Sequence, residues 1–175
     1  MTELQHDERV AVARLHALLE LLPTALDRRL AGTGLTSFEF TLLEALHEAE
    51  SRRLRLSALA SRTNATLPRL SRVVSGLERK GLVLRAPCEQ DGRATNAVLT
   101  DAGAAAYEAG RPLYDDAVRT MVLDGLDDDG VDRLAALCLD ILTRLDPDRR
   151  LTVTTDGAPA CAADPAPPTC PADPR

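Results

Sequence analysis

Residues 66–100, TLPRLSRVVSGLERKGLVLRAPCEQDGRATNAVLT, decide the fold of this chain. At 100° per residue Leu70, Val73, Val74 and Leu77 fall on one side of a helix. Pro68, Arg72, Ser75, Gly76 and Arg79 fall opposite, with Arg69 and Ser71 on the flanks. Thr66 is the expected N-cap, and Pro68 lies in the first turn, where its missing N–H costs little. Gly81 is expected to close the helix. Beyond it, Leu82-Val83-Leu84 and Ala97-Val98-Leu99 read as paired strands around a charged loop, 86–95, that carries Asp91-Gly92-Arg93. A helix showing arginines to solvent, followed at once by a basic hairpin, suits double-stranded nucleic acid. The helix can enter a major groove while the hairpin tip reaches a neighbouring groove.

Working outward toward the N-terminus, SALASR at 57–62 makes a short helix with Leu59 and Ala60 inward, and Asn64-Ala65 makes a turn. Two short helices joined by a tight turn, the second with an exposed arginine face, are a helix-turn-helix, and the appended hairpin is a wing. RLRL at 53–56 alternates and predicts a short strand. Thr36-Ser37-Phe38-Glu39 fits a capping box, with Leu35 and Phe40 placed as a hydrophobic staple. That helix is expected to reach about Ala49, with Phe40, Leu42, Leu43 and Leu46 inward. Residues 8–31 predict a long helix whose leucines at 15, 18, 19, 22, 26 and 30 form a broad stripe. Pro23 is expected to kink or split it, and Gly32 and Gly34 to end it.

Toward the C-terminus, Thr100 begins a helix running to about Val122, with a bend expected at Pro112 and a break at LDDDG. Val131, Leu134, Cys138, Ile141 and Leu145 then alternate three- and four-residue steps, coiled-coil-like patterning that suits a helix–helix interface. Seven of the eleven prolines lie in 146–175, where apolar periodicity stops, so a disordered tail is expected there. The fold class is therefore mainly α with a small β-hairpin wing. Its parts are an N-terminal dimerisation helix (1–34), a winged helix-turn-helix (35–100), C-terminal helices completing the dimerisation region (101–146) and a tail (147–175).

The whole-chain charge of −6 hides a strong asymmetry. Residues 1–50 carry net −5, residues 51–100 net +7 and residues 101–175 net −8. Local field, not overall sum, steers binding to a polyanion, so the basic middle third is the expected footprint. No apolar run is long enough to span a membrane, and the acidic, polar start MTELQHDERV does not read as a secretory signal, so a cytoplasmic location is expected. With no C-x-x-C pair, Cys88, Cys138, Cys161 and Cys170 read as unpaired thiols.

The order helix, helix, short strand, helix-turn-helix, wing and two long helices resembles the MarR family of bacterial winged-helix transcriptional regulators. The local matches are Leu-Ser-Ala-Leu-Ala at 56–60, Leu-Ser-Arg-Val-Val at 70–74 and Leu-Glu-Arg-Lys-Gly-Leu-Val at 77–83. The most specific is Asp91-x-Arg93 with Leu99-Thr100 and then Gly103. The resemblance covers about residues 8–146. It implies a homodimer built from the first and last helices, a recognition helix in the major groove and Arg93 in the minor groove, with Asp91 orienting the wing through a salt bridge. The candidate DNA-contacting residues are Thr66, Pro68, Arg69, Ser71, Arg72, Arg79, Arg93 and Thr95. One departure is that Ala94-Thr95-Asn96 brings no second arginine close to Arg93.

By the same resemblance the regulator is a repressor on a pseudo-palindromic operator, released by a small phenolic or lipophilic effector whose binding residues the sequence does not reveal. Two other readings compete: a winged-helix module that binds protein instead of DNA, and a redox-sensing regulator acting through Cys88 in the wing loop. Arg52, Arg53 and Arg55 suit backbone contacts and a solvated cluster equally well. Cys138, on an apolar stripe, reads as core, and Tyr107 and Tyr114 read as packing more than as an effector cavity. His6, His16 and His47 are too scattered for a zinc site, and no cofactor is expected. Enzyme readings lack parts: there is no Gly-rich phosphate loop, G-x-S-x-G or H-E-x-x-H.

Overall fold

The computed structural model describes residues 3–87 and 94–154. Helix α1 (His6–Leu30) passes through a short 3-10 turn, Ala31–Thr33, into α2 (Ser37–His47). Strand β1 (Arg53–Arg55), α3 (Leu56–Arg62), α4 (Leu67–Arg79), β2 (Val83–Pro87) and β3 (Thr95–Leu99) build the winged unit. Helices α5 (Asp101–Val118) and α6 (Asp128–Leu145) follow.

Local chemistry sets the boundaries. The Thr36 hydroxyl accepts from Glu39 N at 3.2 Å and Glu39 Oε2 accepts from Thr36 N at 2.9 Å, the reciprocal capping box. Leu35 and Phe40, the staple pair, are both buried. Gly81, at φ +72°, takes the left-handed turn after α4 that a side chain resists. The sheet is antiparallel in the order β1-β3-β2, so the hairpin's second strand is its centre. Pairing with β2 carries β3 back to Thr95, opposite Pro87, and the hairpin strands reach further into the wing than their apolar residues suggest. Leu54 on β1 faces Ala97 on β3, both buried, which ties the strand before α3 to the wing.

The core gathers Leu30 from α1, Phe40, Leu43 and Leu46 from α2, Leu59 from α3, Leu70, Val74 and Leu77 from α4, and Val83 and Leu99 from the sheet. Burying each such side chain contributes about 1.5–3 kcal/mol. Phe40 stacks on Tyr114 at 4.4 Å between centroids and lies 5.3 Å from Tyr107, joining α2 to α5. The tyrosines are therefore packing residues. Burial first, and the nearby Glu44 carboxylate next, push the Tyr107 hydroxyl up to about 12. A raised folded-state value favours the neutral phenol, so its contribution is complete below the ordinary tyrosine value of about 10 and is lost as pH rises toward 12. Denaturant midpoints followed from pH 9 to 12 should fall for the wild type, and Tyr107→Phe should flatten that fall.

Several expectations change. Pro23 does not split α1, and α5 likewise runs on through Pro112. A proline removes one backbone bond and leaves the turns on either side intact, and the Thr24 hydroxyl reaches back to the Glu20 carbonyl at 3.4 Å. Beyond Val118 the chain stays helical through a π-helical stretch, Arg119–Leu123, the break expected at LDDDG falls at 124–127, and α6 starts where Asp127 Oδ1 accepts from Gly130 N at 2.7 Å. Cys138 is exposed and not in this chain's core. Indeed α6 lies bare along its length, with Leu137 62% and Leu145 75% exposed, and α1 matches it with Leu18, Leu19 and Leu21 above 59%. Residues 147–154, within the tail expected from 147 onward, are wound by Asp146 and lie against α3 at Ser61. Residues 155–175, with Cys161 and Cys170, lie outside the described residues.

Candidate nucleic-acid interface

The recognition helix α4, about 20 Å long at 1.5 Å per residue, buries Leu70, Val74 and Leu77 and turns its other side to solvent. Thr66, Leu67, Pro68, Arg69, Arg72 and Arg79 are exposed. Thr66 is the N-cap, but its side chain makes no capping bond, so the hydroxyl is left for an outside partner. Arg72 Nε donates to the Pro68 carbonyl at 3.3 Å within the helix. The Arg69 guanidinium lies 4.4 Å from the centre of the Phe38 ring, a cation–π contact that holds it against the start of α2. Such a contact orients an arginine without spending its N–H donors.

The other basic residues of the middle third are sorted by their partners. Arg62 is buried, at 5% exposure, and belongs to the interior. Arg52 pairs with Asp101 at 3.3 Å. Lys80 Nζ donates to Glu39 Oε1 and Oε2 at 2.7 and 2.9 Å and to the Gly34 carbonyl at 3.0 Å, fastening the end of α4 to the start of α2. The Glu39 carboxylate thus caps one helix and anchors another. Arg53 and Arg55 sit half-buried in β1.

Arg85, unmarked in the sequence reading, joins the wing to the recognition helix. Its Nη2 donates to the Ser71 carbonyl at 2.8 Å, to Ser71 Oγ at 3.2 Å and to Ser75 Oγ at 2.9 Å. Its Nε lies 3.3 Å from Glu78 Oε2 as an ion pair. Ser71 is therefore turned to the wing, and Thr95 opens β3, half-buried. The one sequence signal for Arg85 is its place in β2 beside a helix with serines one turn apart. Asp91, Arg93 and Cys88 lie outside the described residues. Thr100 closes the unit: its hydroxyl accepts from Gly103 N at 2.9 Å and donates to the Gly81 carbonyl at 2.8 Å.

The fold that carries this helix and wing is shared with known proteins. The MarR family model matches residues 35–95. The chain is 30% identical over 115 residues to the HTH-type transcriptional repressor YetL of Bacillus subtilis (strain 168), covering 66% of this chain and 68% of that protein. It is 33% identical to Sco3205, a MarR family regulator of Streptomyces coelicolor solved in complex with DNA. The TM-score is 0.81, with 85% of this chain and 97% of that chain covered. This chain belongs to the MarR family. A second Streptomyces coelicolor member, AbsC, aligns at a TM-score of 0.79 and 30% identity over 84% of this chain and 99% of that one. As a MarR-family transcriptional regulator, the chain carries its winged helix-turn-helix on α3, α4, β2 and β3. Among the described residues, no helix is long and apolar enough to cross a membrane.

Proposed function

We propose that this MarR-family regulator represses transcription as a cytoplasmic homodimer on a pseudo-palindromic DNA operator. Thr66, Pro68, Arg69 and Arg72 of each chain serve a major groove, Arg79 a phosphate and Arg93 the adjacent minor groove. The observation that carries the reading is the exposed arginine edge of α4, braced along the helix by Arg85 and at its end by Lys80, with Arg69, Arg72 and Arg79 left exposed. Support comes from YetL, named a repressor, and from Sco3205, solved on DNA.

The dimer rests on a different feature. The leucines of α1 and the α6 stripe are exposed in one chain, and contiguous apolar surface of that kind is covered in a stable protein. Two-fold pairing of α1 and α6 covers both and sets two recognition helices about one DNA turn apart, roughly 34–36 Å. A small phenolic or lipophilic effector then acts by favouring a dimer geometry in which the two helices no longer match successive grooves.

A salt series on a duplex selected from a random pool tests the reading. The logarithm of affinity should fall steeply with log salt, and Arg72→Ala and Arg93→Ala should each weaken binding by about ten-fold or more while the dimer persists in gel filtration. Each lost phosphate contact should reduce the slope by about 0.9. Wild-type affinity in both variants, or capture of a protein partner with no duplex binding, overturns the assignment.

A further inference from the structure

Helix α6 is fixed to its own chain at its two ends and bare between them. At the start it follows α5 through the π-helical stretch Arg119–Leu123 and residues 124–127, and at the end Arg150 and Thr152 return to Ser61 of α3. That return is built by one carboxylate. Asp146 Oδ1 accepts from Arg150 N at 3.0 Å, while Oδ2 accepts from Leu151 N at 2.8 Å and from the Thr154 hydroxyl at 2.7 Å. These bonds wind 146–154 into a compact strap and hold the Asp146 carboxyl below its usual range. The strap's landing point is Ser61, whose hydroxyl donates to the Arg150 carbonyl and lies 3.2 Å from the Thr152 hydroxyl.

The landing point matters because of what adjoins it. Ser61 stands near the end of α3, immediately before the turn 63–66 that leads into the recognition helix. Between the strap and that turn is a cavity of about 470 Å³, bordered by Asn64, Ala65, Thr66 and Leu67 on one side and Leu145, Arg150 and Leu151 on the other. Ser61 makes the hydrogen bonds that cross from α3 to the strap, and Asp146 holds the strap in the shape that meets them.

We propose that Asp146 and Ser61 are positioning residues for operator recognition: through the strap they lock the reading head of each chain to α6. The proposal rests on the dimer reading above, in which α6 is part of the frame that places two heads. A head held only through α1, α2 and α5 has more orientational freedom, and two heads must give up that freedom to seat in successive grooves. Neither residue belongs to the basic face, so the loss should appear in specific binding and leave the charge count at the phosphates intact.

Full-length Ser61→Ala/Asp146→Ala, measured against wild type and Ser61→Thr, tests this. The double variant should remain a dimer by sedimentation and lose about ten-fold in operator affinity. Its log-affinity against log-salt slope and its affinity for a scrambled duplex should match wild type. Ser61→Thr, which keeps the hydroxyl, should retain operator affinity. If the double variant does not fold, Ser61→Ala alone decides by the same measurements. Unchanged operator affinity overturns the proposal, as does an equal loss on scrambled duplex with a shallower slope, which makes the strap a phosphate contact. A wild-type chain that is monomeric or binds no duplex overturns the underlying reading instead.

Discussion

Replacing Leu134 and Ile141 by glutamate is expected to leave monomers that no longer recognise an operator. Both side chains lie on the α6 stripe and are 37% and 39% exposed in the single chain. In water the new carboxylates cost this chain little. Its core is assembled by α1, α2, α3, α4, α5 and the sheet without α6, so the winged unit should keep its fold and the variant most of its helical circular dichroism. In a dimer that buries α6, each chain places two carboxylates at an apolar interface, and desolvating an unpaired charge costs several kcal/mol. The dimer dissociation constant should therefore rise by orders of magnitude, read by sedimentation at micromolar protein. Operator affinity should fall to that for unrelated duplex, commonly about 10³-fold or more weaker, because a single head makes half the contacts. A variant that remains a dimer at wild-type affinity places the interface elsewhere.

Gly103→Ala should be among the most destabilising single substitutions in the molecule. Gly103 is at the first turn of α5, where the chain leaving β3 passes close beneath the segment entering β2. A Cβ on it would overlap the Leu82 carbonyl oxygen and approach Leu99 Cδ1 to 2.7 Å. Neither neighbour can yield cheaply. Leu82 O accepts from Thr100 N at 3.1 Å, and Leu99 is buried in the sheet opposite Val83. In an ordinary helix this exchange stabilises, since alanine is the better helix former by about 1 kcal/mol. Here overpacking against fixed backbone dominates, and a net loss of about 3 kcal/mol is expected from urea denaturation. Gly125→Ala, with nothing near its Cβ, is the control and should change little.

The same glycine shows how much was legible in the chain. Gly103 stood out in the sequence as part of the Leu99-Thr100 pattern, and the pattern's cause is spatial: Thr100 caps α5, bonds back to Gly81, and so presses Gly103 onto Leu82. The capping box at Thr36 and the apolar side of α4 were likewise readable, since each depends on residues within four positions. The roles of Lys80 and Arg85 were not. Their partners Glu39 and Ser71 lie far along the chain or on another element, and no periodicity marks such a pairing. For the same reason Arg62 counted toward the basic third although it faces the interior.

By itself, then, the sequence determined the order and type of the elements, the basic edge of the recognition helix and the apolar stripes of α1 and α6. Those follow from short-range spacing, because helix and strand repeats place neighbouring residues on known faces. Tertiary structure alone decided which arginines remain free for a partner, that β1 joins the wing through β3, and that residues 146–154 return to α3. Each of these depends on approach between distant segments, where distance and burial select the partner and local pattern carries no record of it.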